Sequence, residues 1–234
     1  MTLPQLILLP GLLNDTDLWR DQVADLGDLA RPEVADITQG TTLEALAEDV
    51  LARAEDRFAL AGFSLGGIVA LEIMRRAPER VSHLALLDTT MLPDDPDRAA
   101  ERDRLVETAR SDGKFHGFGE RLLRCYLAPE NLKNAAIADR VRAMTERLGP
   151  DVFVRQSLIA RPDSRASLGD ITCPTLVLCG EHDAWTPPAI HRDMAIAIPN
   201  SLLVIVPGSA HLTPIERPGA VSRALRALLA RKSD

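Results

Sequence analysis

The chain is poor in aromatic residues, in cysteine and in long apolar runs. Aromatic residues make up 3% of the 234 residues, and there are three cysteines. No apolar run approaches the roughly 20 residues that a membrane-spanning helix needs, and the N-terminus lacks the basic and apolar segments of a secretory signal. Cys125, Cys173 and Cys179 follow no disulfide or metal-binding spacing. We therefore expect a protein without a membrane span in a reducing compartment, the cytoplasm.

Positive charge is also in deficit. The formal net charge is −7, from 27 Lys+Arg against 34 Asp+Glu, which argues against nucleic acid or an anionic membrane as the main partner. The sequence has no metal-ligand cluster and no G-x-G-x-x-G dinucleotide motif. We expect no metal and no organic cofactor. The expected partner is a small-molecule substrate, and both a monomer and a homodimer remain open.

Short apolar runs alternate with helical patterns over most of the chain. This alternation is typical of a parallel sheet covered by helices on both faces. It stops between residues 91 and 166, where only helical patterns occur, rich in arginine. The predicted organisation is an α/β core of residues 1–90 and 167–234 with a helical insertion at 91–166. The predicted strands cover residues 6–9, 34–36, 58–61, 81–87, 173–179 and 202–206.

One stretch, residues 58–70, carries a chemical signature. An apolar run enters Gly62-Phe63-Ser64-Leu65-Gly66 and an apolar helix leaves it, and this strand–turn–helix context is the one in which G-x-S-x-G marks a nucleophilic serine. The turn predicts a positive φ at Ser64, with the flanking glycines removing Cβ atoms that would clash. The helix N-terminus would favour an oxyanion formed next to Ser64. Alone, the pentapeptide equally describes a turn or capping serine.

Two later segments supply an acid and a base. Asp183 and His211 each lie just after one of the last two predicted strands, and the carboxyl ends of parallel strands share one edge. Ser64, Asp183 and His211 should therefore meet there. Asp88, at the end of the strand before the insertion, is an alternative acid. The remaining histidines are placed less favourably than His211: His83, His116, His182 and His191.

On these residues the chain resembles the α/β-hydrolase fold family, specifically its small, lidded, esterase-like serine hydrolases. The resemblance spans essentially the whole chain. It rests on the elbow 62–67, on Gly180…Asp183, and on Gly208…His211 followed by Glu216-Arg217-Pro218. It implies an α/β-hydrolase fold, with a mostly parallel sheet, helices on both faces, and residues 91–166 as a lid.

The resemblance also implies roles for individual residues. Ser64 would be the nucleophile, His211 the general base, and Asp183 the carboxylate that orients His211. The backbone N–H groups of Leu12 and Leu65 would form the oxyanion hole. The chain departs from the family pattern after the first strand, where Pro10-Gly11 replaces the usual His-Gly, and we expect it to lack the antiparallel N-terminal strands common in the family. The candidate substrate-pocket residues are Leu13, Phe63, Met91, Trp185 and Leu212.

The expected reaction is hydrolysis of a carboxylic ester, or a related acyl bond, through an acyl-enzyme. The scarcity of aromatics and the apolar residues of the insertion suggest a small, mainly apolar substrate. The arginines of the insertion permit a carboxylate-bearing substrate, although solvated helices explain them as well, and we favour the latter. Two alternatives remain. The same triad could cleave a C–C, lactone or thioester bond, or the chain could be a ligand-binding receptor without turnover.

Overall fold

A central sheet of parallel strands organises the computed structural model, which describes residues 3–111 and 120–233, with only the backbone at 120–122. The sheet has six strands in the order β2-β1-β3-β4-β5-β6, and every neighbouring pair is parallel. His116, Phe115 and Phe118 lie outside the described residues. The strands are β1 (Gln5–Leu9), β2 (Arg31–Val34), β3 (Phe58–Phe63), β4 (Val81–Leu87), β5 (Thr175–Gly180) and β6 (Ser201–Val206).

The apolar runs behave as strands covered on both faces. Every residue of β1, β3 and β5 is buried, as expected where helices cover both sides of a parallel sheet. The sequence predicted the edge strand β2 at residues 34–36, but the strand lies at Arg31–Val34. Its alternating burial and its Pro32 suit an edge position, and such a strand gives no continuous apolar signal.

Helices connect the strands and form two apolar clusters, one on each side of the sheet. Thr42 caps α2 and Asp95 caps α4, each through a side-chain oxygen that accepts a backbone N–H. Thr186 does not cap α7, which begins at Pro188, and its hydroxyl donates to Asp183 instead. The helices are α1 (Arg20–Leu26), α2 (Leu43–Arg53), α3 (Leu65–Arg76), α4 (Pro96–Arg110), α5 (Glu120–Tyr126), α6 (Ala135–Ser157), α7 (Pro188–Ala197), α8 (Thr213–Glu216) and α9 (Pro218–Leu229).

The helices α4, α5 and α6 lie between β4 and β5 in the sequence. Helix α6 is broken at Gly149, which has a φ of 72° and is followed by Pro150, so α6 comprises two helical pieces. Buried residues of α4 and α6, including Val106 and Val141, join the same apolar cluster as Leu8 of β1. None of the helices among the described residues is both long and apolar enough to span a membrane.

Candidate active site

Ser64 occupies the predicted elbow between β3 and α3. Its φ is 51° and its ψ is −115°, a conformation that L-residues adopt only when the surrounding structure holds them in it. Two contacts hold it here. The Ser64 N–H donates to the carbonyl of Leu87 over 3.0 Å, and the hydroxyl of Thr89 donates to the Ser64 carbonyl over 2.7 Å. Strand β4 thus fixes the turn that presents the serine.

The glycines of the elbow are required by close backbone approach. A Cβ on Gly62 would stand 2.3 Å from the carbonyl oxygen of Gly66, and a Cβ on Gly66 would stand 2.4 Å from the carbonyl oxygen of Leu9. Neither backbone atom can move away without disrupting a buried strand or helix. The G-x-S-x-G pattern therefore reflects packing of the turn against β1 and α3.

The structure brings together the three residues that the sequence selected. The Nε2 atom of His211 lies 3.1 Å from the Ser64 hydroxyl, and its Nδ1 atom lies 2.9 Å from Oδ2 of Asp183. Asp183 and His211 are buried, whereas Ser64 is half-buried. This is the spacing at which a histidine can accept a serine proton while a carboxylate holds the ring.

Asp183 is held as a carboxylate. Burial raises its pKa, but the charge of His211 and hydrogen bonds from His211 and Thr186 lower it, and the net direction is downward. Oδ1 accepts the backbone N–H groups of Trp185 and Thr186, each over 2.9 Å, and Oδ2 accepts the Thr186 hydroxyl over 2.6 Å. The carboxylate is therefore fixed on both oxygens and can stabilise a positive charge on His211.

Asp88, the alternative acid, lies beside this group without a described hydrogen bond to His211. It is fully buried, and its oxygens accept the backbone N–H of Gly180 over 2.9 Å and the hydroxyl of Thr213. Burial, and next the charge of Asp183, raises the pKa of Asp88 well above its ordinary value. Asp88 thus braces the loops that carry Asp183 and His211.

The end of β5, which leads to the Asp183 loop, packs against the His211 loop at Gly180. A Cβ on Gly180 would stand 2.0 Å from the carbonyl oxygen of Ala210, so the end of β5 reaches the His211 loop only without a side chain. The His211 N–H donates to the carbonyl of Tyr126 over 3.0 Å. The rings of Phe63 and Tyr126 lie 5.3 and 5.2 Å from the imidazole, centroid to centroid. These contacts fix both the backbone and the ring of His211.

Sequence reasoning missed Glu216 as part of this support. The buried carboxylate accepts the N–H of Ala210 over 2.8 Å, and the N–H of Ala128 and the side-chain amide of Asn131 over 2.7 Å each. It therefore ties the His211 loop to the segment after α5. The Glu216-Arg217-Pro218 sequence, which is part of the resemblance, is the one sequence signal that includes this residue.

Gln156 of α6 was also missed, and no sequence signal distinguished it. Its Oε1 accepts the N–H of Leu13 over 2.9 Å, and its amide donates to the carbonyl of Ile37 over 3.2 Å. Leu13 has a φ of 54°. Gln156 thus holds the loop after β1, next to Leu12. Among the described residues, neither Leu12 nor Leu65 donates its backbone N–H to an acceptor, so both groups are available to a ligand.

A cavity of about 370 Å³ opens onto Ser64 and His211, within the lower part of the usual range for small-ligand sites. Of the five pocket candidates, only Trp185 lines it. Leu13, Phe63, Met91 and Leu212 are buried in the apolar clusters instead, because the direction of a side chain is fixed by packing and not by its position in the sequence. The apolar and aromatic lining consists of Leu12, Leu65, Ile68, Leu105, Tyr126, Phe153 and Trp185.

The remaining histidines have other surroundings. His191 is fully buried and accepts the N–H of Thr89 on Nε2, and burial lowers its pKa to about 4, so it serves as a neutral brace. His83 bonds to the carbonyl of Arg231, and His182 is exposed.

Burial raises the pKa of Cys179 far above its ordinary value. In the described part of the chain, no group of His, Cys, Asp or Glu is arranged to hold a metal ion.

Comparison with known proteins gives one consistent family. The model of the alpha/beta hydrolase family matches residues 6–224. The pimeloyl-[acyl-carrier protein] methyl ester esterase of Vibrio campbellii is 28% identical over 228 residues, covering 89% of this chain and 87% of that protein.

Two solved structures show the same fold over nearly the whole chain. A malate-bound thermophilic esterase from Thermogutta terrifontis is 31% identical, with a TM-score of 0.87, covering 97% of this chain and 90% of that one. The enol-lactonase of Burkholderia xenovorans LB400 has a TM-score of 0.88 at 24% identity, covering 99% of this chain and 93% of that one. The chain therefore belongs to the alpha/beta hydrolase family, a family of hydrolytic enzymes.

Proposed function

We propose that the chain is a serine hydrolase that cleaves a carboxylic ester of a small, mainly apolar substrate through an acyl-enzyme. The observation that carries the proposal is the position of His211, hydrogen-bonded to Ser64 on one side and to Asp183 on the other, at the wall of a cavity. The esterase relatives support ester hydrolysis as the reaction class.

The proposed mechanism has two half-reactions, formation and hydrolysis of the acyl-enzyme, and Ser64, His211 and Asp183 take part in both. His211 takes the proton of Ser64 as its oxygen attacks the ester carbonyl, and Asp183 stabilises the imidazolium that forms. The backbone N–H groups of Leu12 and Leu65 would receive the oxyanion, and one such donor typically contributes about 3–4 kcal/mol to lowering the barrier. His211 then protonates the leaving alcohol. In the second half it deprotonates water, which releases the acid and regenerates Ser64.

We further assign residues 91–166 as a lid that selects the substrate. Leu105, Tyr126 and Phe153, all from this segment, line the cavity opposite the elbow, and these contacts support the assignment. Shortening Phe153 to alanine is expected to enlarge the cavity and shift the preferred acyl length upwards in an ester panel. An unchanged length profile would remove the proposed role of the lid. Cys173 and Cys179, which form no disulfide, support a reducing, cytoplasmic location.

An active-site probe tests the proposal directly. A fluorophosphonate should label Ser64, as located by peptide mass spectrometry, and Ser64→Ala should abolish labelling and lower kcat on p-nitrophenyl esters by about 10⁴-fold or more. Ser111→Ala, whose hydroxyl caps the end of α4 away from the cavity, is the matched control and should keep both signals. Full ester hydrolysis by Ser64→Ala would refute the proposal.

The ester panel also separates the alternatives. Labelled Ser64 together with no turnover of any ester would shift the assignment to a lactone, thioester or C–C bond. An unlabelled Ser64 with tight binding of a small ligand would indicate a receptor.

A further inference from the structure

Two arginines line the same cavity as Ser64, and both are largely withdrawn from solvent. Arg102 comes from α4 and Arg161 from the segment after α6, and their side chains are 23% and 11% exposed. They flank a single carboxylate, Asp94, which is 17% exposed. Arg102 forms an ion pair with Asp94, and the Nε of Arg161 lies 3.9 Å from the same oxygen.

Among the described residues, Asp94 is the one carboxylate that forms an ion pair with Arg102 or Arg161. Arg161 donates to the backbone carbonyls of Ser157 and Ile159, which satisfy donors without neutralising the guanidinium. Burial and then the charge of Arg102 lower the pKa of Arg161 to about 10, against the opposing effect of Asp94. Two half-buried cations thus share one ion-pairing carboxylate, an arrangement that a second anion would stabilise.

The other charged residues that line this part of the cavity are engaged or exposed. Glu101 pairs with Arg104, and Asp97 is exposed. Arg98 donates to the carbonyl of Trp185 and lies near Asp95.

Two neutral polar groups of the same cavity wall also lack partners. The hydroxyl oxygen of Ser157, in a residue 1% exposed, and the indole nitrogen of Trp185 are buried without a hydrogen-bond partner among the described residues. Buried polar groups in native proteins are nearly always paired. Both groups can donate a hydrogen bond, which is the property that an oxyanion ligand requires.

We propose that Arg102 and Arg161 form a subsite for a free carboxylate of the substrate, so that the preferred esters are half-esters of dicarboxylic acids. This inference rests on the proposed function, because the second carboxyl group would be the ester presented to Ser64. A guanidinium binds a carboxylate through two parallel hydrogen bonds, and the carboxylate would supply the anion that the pair lacks. A purely structural role for the pair, tying α4 to Asp94, predicts equal effects on charged and neutral esters.

The test compares esters that differ only in whether the second carboxyl group is a free, charged carboxylate or a neutral ester. The kcat/KM values of the monomethyl and dimethyl esters of dicarboxylic acids from succinic to suberic are measured for each variant. The wild type should favour the half-ester at one or more chain lengths. Arg161→Gln and Arg102→Gln should lower the half-ester to diester ratio by roughly 10- to 100-fold, the range for losing a hydrogen bond to a charged group.

Arg104→Gln is the matched control, since this arginine lies on the same helix with a side chain 71% exposed. Its ratio should equal that of the wild type. The carboxylate subsite would be overturned if Arg161→Gln and Arg102→Gln lowered kcat/KM equally for the half-ester and the diester, or for neither. Ser64-dependent ester hydrolysis, and so the proposed function, would remain intact in either case.

A second measurement needs no variant and no turnover. Adipate should protect Ser64 of the wild type from fluorophosphonate labelling at a roughly 10-fold or more lower concentration than adipamide, its neutral analogue. Equal protection by the two compounds would overturn the subsite even if the arginine variants do not fold. Preferential protection by adipate, with no hydrolysis of any ester, would support the subsite and refute the ester specificity of the proposed function.

Discussion

The carboxylate of Glu216 accepts a hydrogen bond of 2.8 Å from the backbone N–H of Ala210, the residue before His211. Its other oxygen accepts donors from Ala128 and Asn131, which belong to the segment between β4 and β5. A residue that never touches the cavity therefore joins the His211 loop to the proposed lid. The position of the histidine ring depends on this carboxylate as well as on Asp183.

Replacing Glu216 with glutamine should loosen the His211 loop. A glutamine offers one acceptor oxygen to three N–H donors, and each buried donor left unpaired costs about 1–3 kcal/mol. We expect a lower unfolding free energy in urea and a fall in kcat larger than any change in KM. Glu130→Gln, which disturbs only an exposed pair with Arg217, should cost less than about 1 kcal/mol. Wild-type kcat in Glu216→Gln would contradict the positioning role.

A side chain at Gly66 should disrupt the elbow. In Gly66→Ala the new Cβ would meet backbone oxygens of Leu9 and Pro10 at 2.4 Å, and such overpacking costs typically about 1–3 kcal/mol or more. Thermal denaturation should show a clear fall in Tm, accompanied by loss of Ser64 labelling. Gly169→Ala is the matched control, because nothing lies within 4 Å of its added Cβ. A fall of the same size in both variants would argue against the close-approach explanation.

Removing the acceptor that holds Leu13 should impair the loop after β1. Gln156→Leu keeps the approximate size of the side chain but leaves the buried Leu13 N–H without its acceptor, at a cost of about 1–3 kcal/mol. If Leu12 receives the oxyanion, kcat should fall more than KM rises, because oxyanion contacts act mainly in the transition state. A change confined to KM would count against Leu12 as an oxyanion donor.

The two buried aspartates should respond differently to the same substitution. Asp183→Asn removes the charge that stabilises the imidazolium and favours the wrong histidine tautomer, a change expected to lower kcat by about 10⁴-fold. Asp88→Asn should cost far less activity, since Asp88 contacts Gly180 and Thr213 but not His211. Steady-state kinetics on one ester separates the two. Comparable losses would make Asp88 part of the catalytic machinery.

The same Asp88→Asn variant predicts a pH dependence of stability. The folded pKa of Asp88 lies well above its ordinary value of 3.8, so the folded state binds more protons and wild-type stability falls as pH rises from 3.8 through the folded pKa. Asparagine removes this loss and tolerates the positive φ of 45° at this position. The Tm difference, variant minus wild type, should increase with pH over this window. A difference independent of pH would contradict the prediction.

The parallel sheet and the meeting of Ser64, Asp183 and His211 followed from local patterns in the sequence. Apolar runs, glycines at the elbow and the alternation of strands with helices are each specified over a few residues. A general rule of parallel sheets then places the ends of the strands at one edge. The chemistry of the elbow was therefore accessible before any coordinates.

Only the tertiary structure decided which side chains face the cavity and which polar residues support it. Phe63 is next to Ser64 in sequence yet packs into the apolar core, as Leu13 does, and Gln156 and Glu216 act on partners 143 and up to 88 residues away in the chain. From the sequence, solvated helices were the favoured explanation for the arginines of residues 91–166, whereas the structure places Arg161 in the cavity wall with a side chain 11% exposed. Side-chain direction and long-range hydrogen bonding depend on packing between distant segments, and no local pattern encodes them.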